Sequence, residues 1–378
     1  MRLDSADVVV IGGGAIGAAA AYALSRAGLS VTLVERGGIG REASGANVGL
    51  VTLFSAYSLD EPEPGILFAL TRASIDAYTS LGDEVGLDIE YQQSGGVVVV
   101  ETEAQEERLR PAYEGYRRHG VPVEWLGPAD ARRAARGFVS DRILGGAVCP
   151  LNGQVNPMLA TRALARGATR LGARLRLGTA VEGITCSRGR VEAVRTSAGA
   201  IPCRWAVNAA GAWAAEVGAM VSLRIPVAPA RGQILLTEPL PRRLGPVIAG
   251  IEPSARQTRS GNVIIGSTVE HAGFDKRVTP RTIAEFAREV LPHFPWLREV
   301  RVIRAWAGLR PATPDSKPII QLAEEPEGLC LAAGHSRRGI CYAPATGQLV
   351  AELITGKPPF LPLDGLRLGR FAAATPTT

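Results

Sequence analysis

The feature that most constrains this chain is an ordered run of elements in residues 7–36. The apolar segment 8–11 (VVVI) enters the sequence GGGAIG at 12–17, an alanine-rich segment follows, and a second apolar segment at 31–34 (VTLV) ends at Glu35. Two apolar runs joined by a glycine turn and a helix-forming segment predict strand, tight turn, helix and strand. The chain therefore begins with a predicted βαβ unit.

The glycine spacing of this unit indicates a dinucleotide site. Gly12 permits the turn, Gly14 lets the backbone approach a pyrophosphate, and Gly17 lets the helix pack closely on the strand. The helix N-terminus offers N–H groups and a partial positive charge to phosphates. Glu35, eighteen positions after Gly17, suits the ribose hydroxyls. The alternative is a glycine-rich turn that binds nothing, and the surrounding strands, helix and acid argue against it.

Length and composition bound the remaining classes. With 378 residues, 46% of them hydrophobic, the chain is expected to form two domains. Its apolar runs are too short to span a bilayer and its start resembles no leader, so a soluble intracellular protein is expected. Five cysteines and four histidines are scattered, which predicts neither a disulfide framework nor a metal site. The net charge of +6 is interspersed with acids, which argues against nucleic-acid binding.

Three further segments have the composition of loops beside a ligand. Residues 41–51 (REASGANVGLV) are rich in small residues, which suits a backbone close to a ligand; a flexible surface loop is the alternative. Residues 205–218 (WAVNAAGAWAAEVG) predict a second strand-to-helix turn, placed beside the cofactor or serving only as a connection. Residues 334–341 (GHSRRGIC) follow a predicted strand at 329–332 and precede a helix predicted to begin at Pro344.

The middle of the chain predicts an antiparallel sheet in a second domain. Short β-like runs at 233–237, 247–251 and 263–265 are bounded by proline and glycine. An amphipathic helix is predicted at 282–291. Three runs between residues 181 and 207, separated by short turns, predict a meander.

The chain carries no acid–base set that can be recognised from spacing. Neither a Ser/His/Asp set nor paired carboxylates can be identified, so a cofactor is expected to carry the chemistry. A flavin fits better than nicotinamide, because it needs contacts along its whole length and cofactor-like loops lie at the start, middle and end of the chain. A helix N-terminus near the last loop would stabilise the negative charge that a reduced flavin develops.

Five ordered motifs together resemble one family. They are GGGAIG with Glu35, ASGANVG, NAAGAW, WAGLRP at 306–311 followed by TPDSKPII, and AAGHSRRGICYAPATG at 332–347. The set resembles the D-amino-acid oxidase superfamily of FAD-dependent oxidoreductases. It is most similar to the branch of glycine oxidase, sarcosine oxidase, hydrogen cyanide synthase and the opine oxidase B-subunit. The resemblance covers nearly the whole chain and is much less specific for the substrate.

The resemblance implies an α/β fold with two domains. An FAD-binding Rossmann-like domain is expected beside a second α+β substrate domain built on an antiparallel sheet. The FAD-binding domain would be discontinuous, with residues 1–82, 145–220 and 303–378, and residues 83–144 and 221–302 would form the substrate domain.

The resemblance also implies site residues. Arg310 of WAGLRP is expected to pair with the substrate carboxylate, which a planar guanidinium matches with two hydrogen bonds. Arg337 is expected to line the same site. A structural ion pair for Arg310 and a surface charge for Arg337 are the alternatives. The expected FAD contacts are Gly12, Gly14, Ala15, Ile16, Gly17, Glu35, Arg36, Ser44, Ala46, Asn47, Val48, Gly49, Val181, Ala210, Gly211, Trp213, Arg310, Gly334, His335, Arg337, Gly339 and Ile340.

One stretch departs from the glycine oxidase pattern. Those enzymes carry a tyrosine on the strand before the SGxVxxGxT hairpin, whereas residues 254–259 (SARQTR) contain no aromatic residue. The difference points away from glycine as the substrate. Arg256 or Arg259 would suit a substrate with a second carboxylate, as opines have, and Arg256 is a predicted substrate contact.

The predicted function is FAD-dependent oxidation of the C–N bond of an amino acid or N-substituted amino acid of opine, D-amino acid, glycine or sarcosine type. Hydride would pass to flavin N5 and the imine would be hydrolysed, with positioning in place of a side-chain base. The resemblance favours the flavin subunit of a hetero-oligomeric dehydrogenase, cytoplasmic or held at the inner membrane by partner subunits. The alternative within the family is a free-standing oxidase that produces hydrogen peroxide.

Three alternatives come from other classes. An NAD-dependent dehydrogenase would share the first motif, and nicotinamide would copurify with it. A flavoprotein that modifies tRNA is compatible with the net charge of +6 and would show salt-dependent RNA binding. A non-catalytic interaction subunit would leave Arg310 without a substrate.

Overall fold

A computed structural model describes residues 4–55, 58, 63–241, 244–249 and 253–371. The strands are β1 (Ala6–Ile11), β2 (Val31–Glu35), β3 (Leu50–Val51), β4 (Gly96–Val100), β5 (Glu124–Leu126), β6 (Gly145–Cys149), β7 (Gly153–Gln154), β8 (Arg174–Leu177), β9 (Val181–Ser187), β10 (Arg190–Thr196), β11 (Gly199–Asn208), β12 (Ala228–Pro239), β13 (Val247–Ala249), β14 (Ser254–Gln257), β15 (Asn262–Gly266), β16 (Val302–Ala312), β17 (Ile319–Leu322) and β18 (Leu329–Ala333). The α-helices are α1 (Ala15–Arg26), α2 (Ile66–Val85), α3 (Glu103–Arg118), α4 (Pro128–Ala134), α5 (Pro157–Arg170), α6 (Ala214–Ala219), α7 (Pro280–Val290) and α8 (Gly339–Thr355). Within the described residues no helix is long and apolar enough to cross a membrane.

The first sheet is built around the predicted βαβ unit. Its strand order is β17-β18-β11-β1-β2-β8, and the neighbours are parallel except for the antiparallel β17. Val8 and Val10 of β1 pack into one apolar cluster with α1 and α8, whereas Val9 and Ile11 pack into another with α6. Because both faces are covered, the central strand is a continuous apolar run rather than an alternating one. Strands β9, β10 and the first part of β11 form the predicted meander.

The carboxyl ends of five parallel strands lie at one edge of this sheet. These strands are β1, β2, β8, β11 and β18, and β1 is a topological switch point because β2 and β11 pair on its opposite sides. Ligands of open α/β sheets bind in the crevice at such a point. The glycine turn after β1, Glu35 and the turn after β11 therefore converge on one crevice.

The second sheet has the strand order β16-β12-β15-β14-β13-β4-β6-β5. It is antiparallel except where β13 pairs with β4 in parallel, and α7 packs against it in a shared apolar cluster. Of the run predicted at 247–251, residues 250 and 251 lie outside the described residues. The domain boundary predicted between residues 144 and 145 would assign β6 to the FAD-binding domain, although β6 pairs with β4 in the second sheet. The boundary predicted between residues 302 and 303 would likewise assign almost all of β16 to the FAD-binding domain, although β16 pairs with β12 in the second sheet. The division into domains remains a prediction. The last predicted segment of the FAD-binding domain includes residues 372–378, which lie outside the described residues.

The last helix begins earlier than the sequence predicted. Helix α8 starts at Gly339 and contains Pro344, which was expected to be its first residue. Proline has no N–H to donate to the carbonyl four residues earlier. The hydroxyl of Tyr78 donates to that carbonyl, of Ile340, at 2.7 Å. The helix therefore accommodates the proline, and its first turn lies five residues closer to the end of β18.

Candidate functional site

A cavity of about 340 Å³ lies at the crevice of the first sheet, facing the second sheet. Its wall combines the turns after β1, β2 and β11, the loop of residues 41–52, parts of β12, β15 and β16, and the first turn of α8. The cavity thus joins segments from the beginning, middle and end of the chain.

The first wall segment is the glycine turn after β1. Gly12 has a φ of +112°, a conformation that favours glycine, and a β-carbon there would overlap the carbonyl of Ala209 in the turn after β11. A β-carbon at Gly17 would overlap the carbonyl of Gly12, so this glycine permits the close packing of α1. Gly14 is the N-cap of α1 and has no side chain to shield the first turn of the helix from the cavity.

Glu35, at the end of β2, reaches back to this turn. Its carboxylate accepts hydrogen bonds from the backbone N–H groups of Gly13 and Gly37, both at 2.7 Å, and faces the cavity. The acid therefore stands beside the turn with carboxylate oxygens at the cavity wall, as required for binding ribose hydroxyls.

The loop of residues 41–49 is held along the cavity by its own side chains. Ser44 Oγ accepts from the backbone N–H of Ala15 at 2.8 Å, which fixes the loop against the start of α1. Asn47 donates to the carbonyls of Ala43 and Ser44 and accepts from the N–H of Gly49 at 2.8 Å. These bonds favour the interpretation of this segment as a ligand loop over that of a flexible surface loop.

The turn after β11 lies beside the same cavity. The buried side chain of Asn208 donates to the carbonyl of Ala214 at 2.9 Å and accepts from the N–H of Ala210 at 3.3 Å. This amide fixes the turn between β11 and α6, and Gly211 and Trp213 follow on the cavity wall.

Arg310 projects from β16 to the cavity wall, where it is half-buried. Its Nη1 donates to the carbonyl of Arg231 at 3.2 Å, and its Nη2 donates to the carbonyl of Thr268 at 3.0 Å and to Ser267 Oγ. These three contacts are made to neutral oxygen atoms and orient the guanidinium. A cation held in this way is suited to binding a carboxylate.

Gly232 and Ser267 are contacts of Arg310 that were missed from the sequence. A β-carbon at Gly232 would overlap the guanidinium of Arg310, so the bare backbone of β12 provides its space. A glycine adjoining the β-run at 233–237 is a signal from which a close approach could have been inferred, but this inference was not drawn. Ser267 and Ser254, which also line the cavity, carried no such signal.

Two neighbouring arginines occupy the short helical turn before α8. Arg337, a predicted contact, is exposed at the edge of the cavity wall. Arg338, which was not predicted, also lines the cavity and donates to the carbonyl of Thr52 at 2.6 Å and to Thr71 Oγ1 at 3.1 Å. Arg338 therefore ties this turn to the segment that follows loop 41–49.

The arginines predicted for a second carboxylate lie elsewhere. Arg256 is 5% exposed behind the cavity wall, and its Nε donates to the carbonyl of Val48. Burial lowers the pKa of Arg256 to about 10. Arg259 forms a surface ion pair with Asp88. The structure does not support the prediction of Arg256 as a substrate contact, because this buried side chain lies against Val48 of the loop 41–49 and does not line the cavity.

Gly334 and His335 are buried residues in the segment between β18 and α8. His335 is 2% exposed, its Nε2 lies 3.1 Å from Thr346 Oγ1, and burial lowers its pKa to about 3, so the ring is neutral. Gly334 has a φ of +72° and packs against Thr313. Gly17 and Gly334 do not line the cavity; each allows the close backbone packing on which the cavity wall depends. The predicted contacts that the structure places on the wall are Gly12, Gly14, Ala15, Ile16, Glu35, Arg36, Ser44, Ala46, Asn47, Val48, Gly49, Val181, Ala210, Gly211, Trp213, Arg310, His335, Arg337, Gly339 and Ile340.

Residues 267–279, named here the strap, connect the second sheet to the outer rim of the cavity. The ring of Phe274 stacks on Trp213 with centroids 5.2 Å apart, and Lys276 Nζ lies 3.0 Å from the carboxylate of Glu42. Trp213 and Glu42 both line the cavity. Arg36 also lies over the Trp213 ring, with its Cζ 3.8 Å from the centroid.

Comparisons with known proteins extend over almost the whole chain. Residues 7–353 match the family described as FAD-dependent oxidoreductase (DAO). The hydrogen cyanide synthase subunit HcnC of Pseudomonas aeruginosa is 35% identical, over 95% of this chain and 94% of that protein. The structure of glycine oxidase from Geobacillus kaustophilus has a TM-score of 0.89 and 30% identity, covering 98% of this chain and 99% of that one. L-proline dehydrogenase from P. horikoshii has a TM-score of 0.88 and 27% identity, covering 98% of each chain. These similarities confirm the predicted fold class.

Proposed function

Because the chain belongs to the DAO family of FAD-dependent oxidoreductases, we propose that it oxidises the C–N bond of an amino acid or N-substituted amino acid whose carboxylate binds Arg310. The observation that carries the proposal is the position of Arg310, half-buried on the wall of a cavity that the dinucleotide turns also line. The similarity to a glycine oxidase and an L-proline dehydrogenase supports an amino-acid substrate.

The cavity wall fits FAD at several points along its length. The bare N-terminus of α1 at Gly14 suits the pyrophosphate, and Glu35 suits the ribose. A β-carbon at Gly14 would lie 3.1 Å from Ser44 Oγ and narrow this cradle. The first turn of α8, at Gly339 and Ile340, faces the cavity, where a helix N-terminus would stabilise negative charge on a flavin ring.

The residues of this chain would act by binding and orientation. FAD held by these residues would supply the acceptor for the hydride that leaves the α-carbon of the substrate. Arg310 would hold the carboxylate so that this C–H bond points into the cavity, and the substrate would react as the neutral amine. The nitrogen lone pair forms the C=N bond, a proton leaves the nitrogen, and water hydrolyses the imine to an oxo acid and an amine. Correct positioning supplies much of the rate, so a side-chain base is not required.

We propose a substrate with one carboxylate bound at Arg310. Arg256 and Arg259, the residues that favoured a second carboxylate, lie behind the wall and at the surface, so an opine-type dicarboxylate has no support from them. Strand β14 contributes the small residue Ser254 to the wall. This supports a substrate bulkier than glycine.

For the electron acceptor we propose a partner subunit within a hetero-oligomeric dehydrogenase. The support is the 35% identity to a protein that is named as a subunit of a synthase. A free-standing oxidase is the second candidate, supported by the likeness to glycine oxidase. Anaerobic reduction by substrate followed by exposure to air separates the two, because an oxidase is reoxidised rapidly by oxygen and a dehydrogenase slowly.

Arg310→Ala tests the carboxylate site. We expect substrate binding to weaken by roughly 2–5 kcal/mol, the cost of removing one member of a buried charge pair, with FAD still bound. Arg310→Lys, which keeps the charge but loses the planar fork, should lie between the wild type and Arg310→Ala. Anaerobic titration of the flavin spectrum with substrate measures the dissociation constant. An unchanged constant in Arg310→Ala would remove Arg310 from the site.

A further inference from the structure

The acceptors that orient Arg310 come from two separate segments. The carbonyl of Arg231 belongs to β12, whereas Ser267 and Thr268 belong to the start of the strap. The position of the guanidinium therefore depends on how firmly the strap is joined to β12.

Glu270 makes this junction. Its Oε2 accepts from Arg231 Nη2 at 2.7 Å, and its Oε1 accepts from Gln233 Nε2 at 2.9 Å and from Thr268 Oγ1 at 2.8 Å. Two of the three donors lie on β12 and the third lies on the strap. The carboxylate of Glu270 thus crosslinks the two segments that supply the acceptors of Arg310.

Hydrogen bonds of the backbone also join β12 to the strap. Arg231 and Glu270 exchange a pair of hydrogen bonds, at 2.8 and 2.9 Å, and the N–H of Gln233 donates to Thr268 Oγ1 at 2.9 Å. The hydroxyl of Thr268 therefore connects the backbone of β12 to the carboxylate of Glu270.

The charge state of Glu270 suits this role. Burial opposes its ionisation, but the hydrogen bonds from Arg231, Thr268 and Gln233 outweigh burial and lower the pKa of Glu270 below its usual value. The pKa of Arg231 is raised, chiefly by its hydrogen bond to Glu270. The pair is therefore ionised at neutral pH. Arg231 also lies 3.1 Å from Asp275 in the same strap.

We propose that Glu270 is a positioning residue for Arg310, holding the strap against β12 so that the guanidinium is already oriented when a carboxylate arrives. The inference rests on the proposed function, because it assigns Glu270 a role in the carboxylate site. Its signature is weaker binding of any carboxylate with little change in the rate of the bound complex, since Glu270 acts through Arg310 and touches no substrate.

The experiment compares Glu270→Gln with the wild type, both loaded with FAD. Acetate is titrated as a simple carboxylate probe and followed by its effect on the visible flavin spectrum, and KM and kcat are measured with the best substrate. We expect the dissociation constant of acetate and KM to rise about tenfold, which corresponds to about 1.4 kcal/mol, while kcat stays within about twofold.

Glu238→Gln is the matched control. Glu238 also lies on β12 and also pairs with an arginine, Arg301, at 3.2 Å, but it is remote from the cavity wall. Acetate affinity in this variant should equal that of the wild type. An equal loss in both variants would show a general effect on β12 and overturn the inference.

Thr268→Val is a second variant that weakens the same crosslink. It removes the hydroxyl between Gln233 and Glu270 but keeps the Thr268 carbonyl that Arg310 contacts. If Glu270→Gln fails to fold or to hold FAD, a rise in the acetate constant for Thr268→Val supports the inference, and an unchanged constant overturns it. A wild type that does not bind acetate would contradict the proposed function itself. Wild-type affinity in Glu270→Gln, with a loss in Arg310→Ala, would overturn the inference alone.

Discussion

At Gly232 the absence of a side chain decides where Arg310 can lie. The guanidinium occupies the space that a β-carbon would take, and it donates to the carbonyl of the preceding residue, Arg231. A long, flexible side chain normally loses conformational freedom when it binds a ligand. Because Arg310 is oriented in advance by Gly232, Ser267 and Thr268, less of that cost remains for the binding step.

Replacing Gly232 with alanine should therefore weaken carboxylate binding. The new methyl group would force the guanidinium off the backbone of β12, so we expect a rise in KM of at least fivefold, a cost of about 1 kcal/mol, with FAD still bound. Steady-state kinetics and the FAD content of the purified protein provide the measurement. Gly365→Ala is the control, because Gly365 is exposed, has open space around it and lies outside the cavity wall and the strap.

A second residue-scale prediction concerns pH and His335. Burial lowers the pKa of this ring to about 3, whereas an unfolded histidine titrates near 6.5. Between these values the unfolded chain binds a proton that the folded protein excludes, so the free energy of unfolding falls as the pH decreases below about 6.5. This contribution amounts to about 2 kcal/mol at pH 5 relative to pH 7.5. Denaturant unfolding of the wild type and His335→Gln at both pH values measures it, and parallel losses in the two proteins would contradict the assignment.

Among the elements, the strap contacts several different parts of the site. It carries two acceptors of Arg310, it is fixed to β12 by Glu270, and its outer part reaches Trp213 and Glu42 on the cofactor side of the cavity. The strap therefore connects the carboxylate site to the rim of the cofactor site.

Phe274→Ala should loosen the hold on FAD. An aromatic pair contributes about 0.5–1.5 kcal/mol beyond its buried area, so we expect the dissociation constant of FAD to rise by roughly two- to tenfold. Fluorescence recovery of released FAD measures this constant without reference to turnover. Phe360→Ala, at another exposed phenylalanine, serves as the control, and equal FAD affinity in the wild type and Phe274→Ala would contradict a role for the strap at this rim.

The elements also show which features of the fold could be predicted from residues that are close in sequence. The βαβ unit was predictable because its glycines, apolar runs and terminal acid are close in sequence. The start of α8 was not, because Pro344 is accommodated by the hydroxyl of Tyr78, 262 residues from the carbonyl that accepts from it. The burial of Arg256 could not be predicted for a similar reason. Its position in β14 gave no sign that it would be buried against Val48, and the acceptors of Arg310 likewise arise only when β12, the strap and β16 meet.

At the scale of the whole molecule, three stretches of chain that are distant in sequence form one cavity between two sheets. The first sheet contributes the turns that suit FAD, and the second sheet with its strap contributes Arg310 and its acceptors. A substrate held from the second sheet would therefore meet a cofactor held by the first. This arrangement explains why the motifs resembling the family are spread from residue 12 to residue 347.

The proposed function is tested most directly by the visible absorption spectrum of the purified protein during anaerobic addition of amino acids. Glycine, sarcosine, D-alanine, D-proline, D-hydroxyproline, octopine and nopaline would be added one at a time to the wild type and to Arg310→Ala. We expect a flavin spectrum that one of these compounds bleaches in the wild type, and that the same compound bleaches in Arg310→Ala only at a far higher concentration. A protein that cannot be loaded with FAD, or a variant bleached at the same substrate concentration as the wild type, would contradict the proposed function.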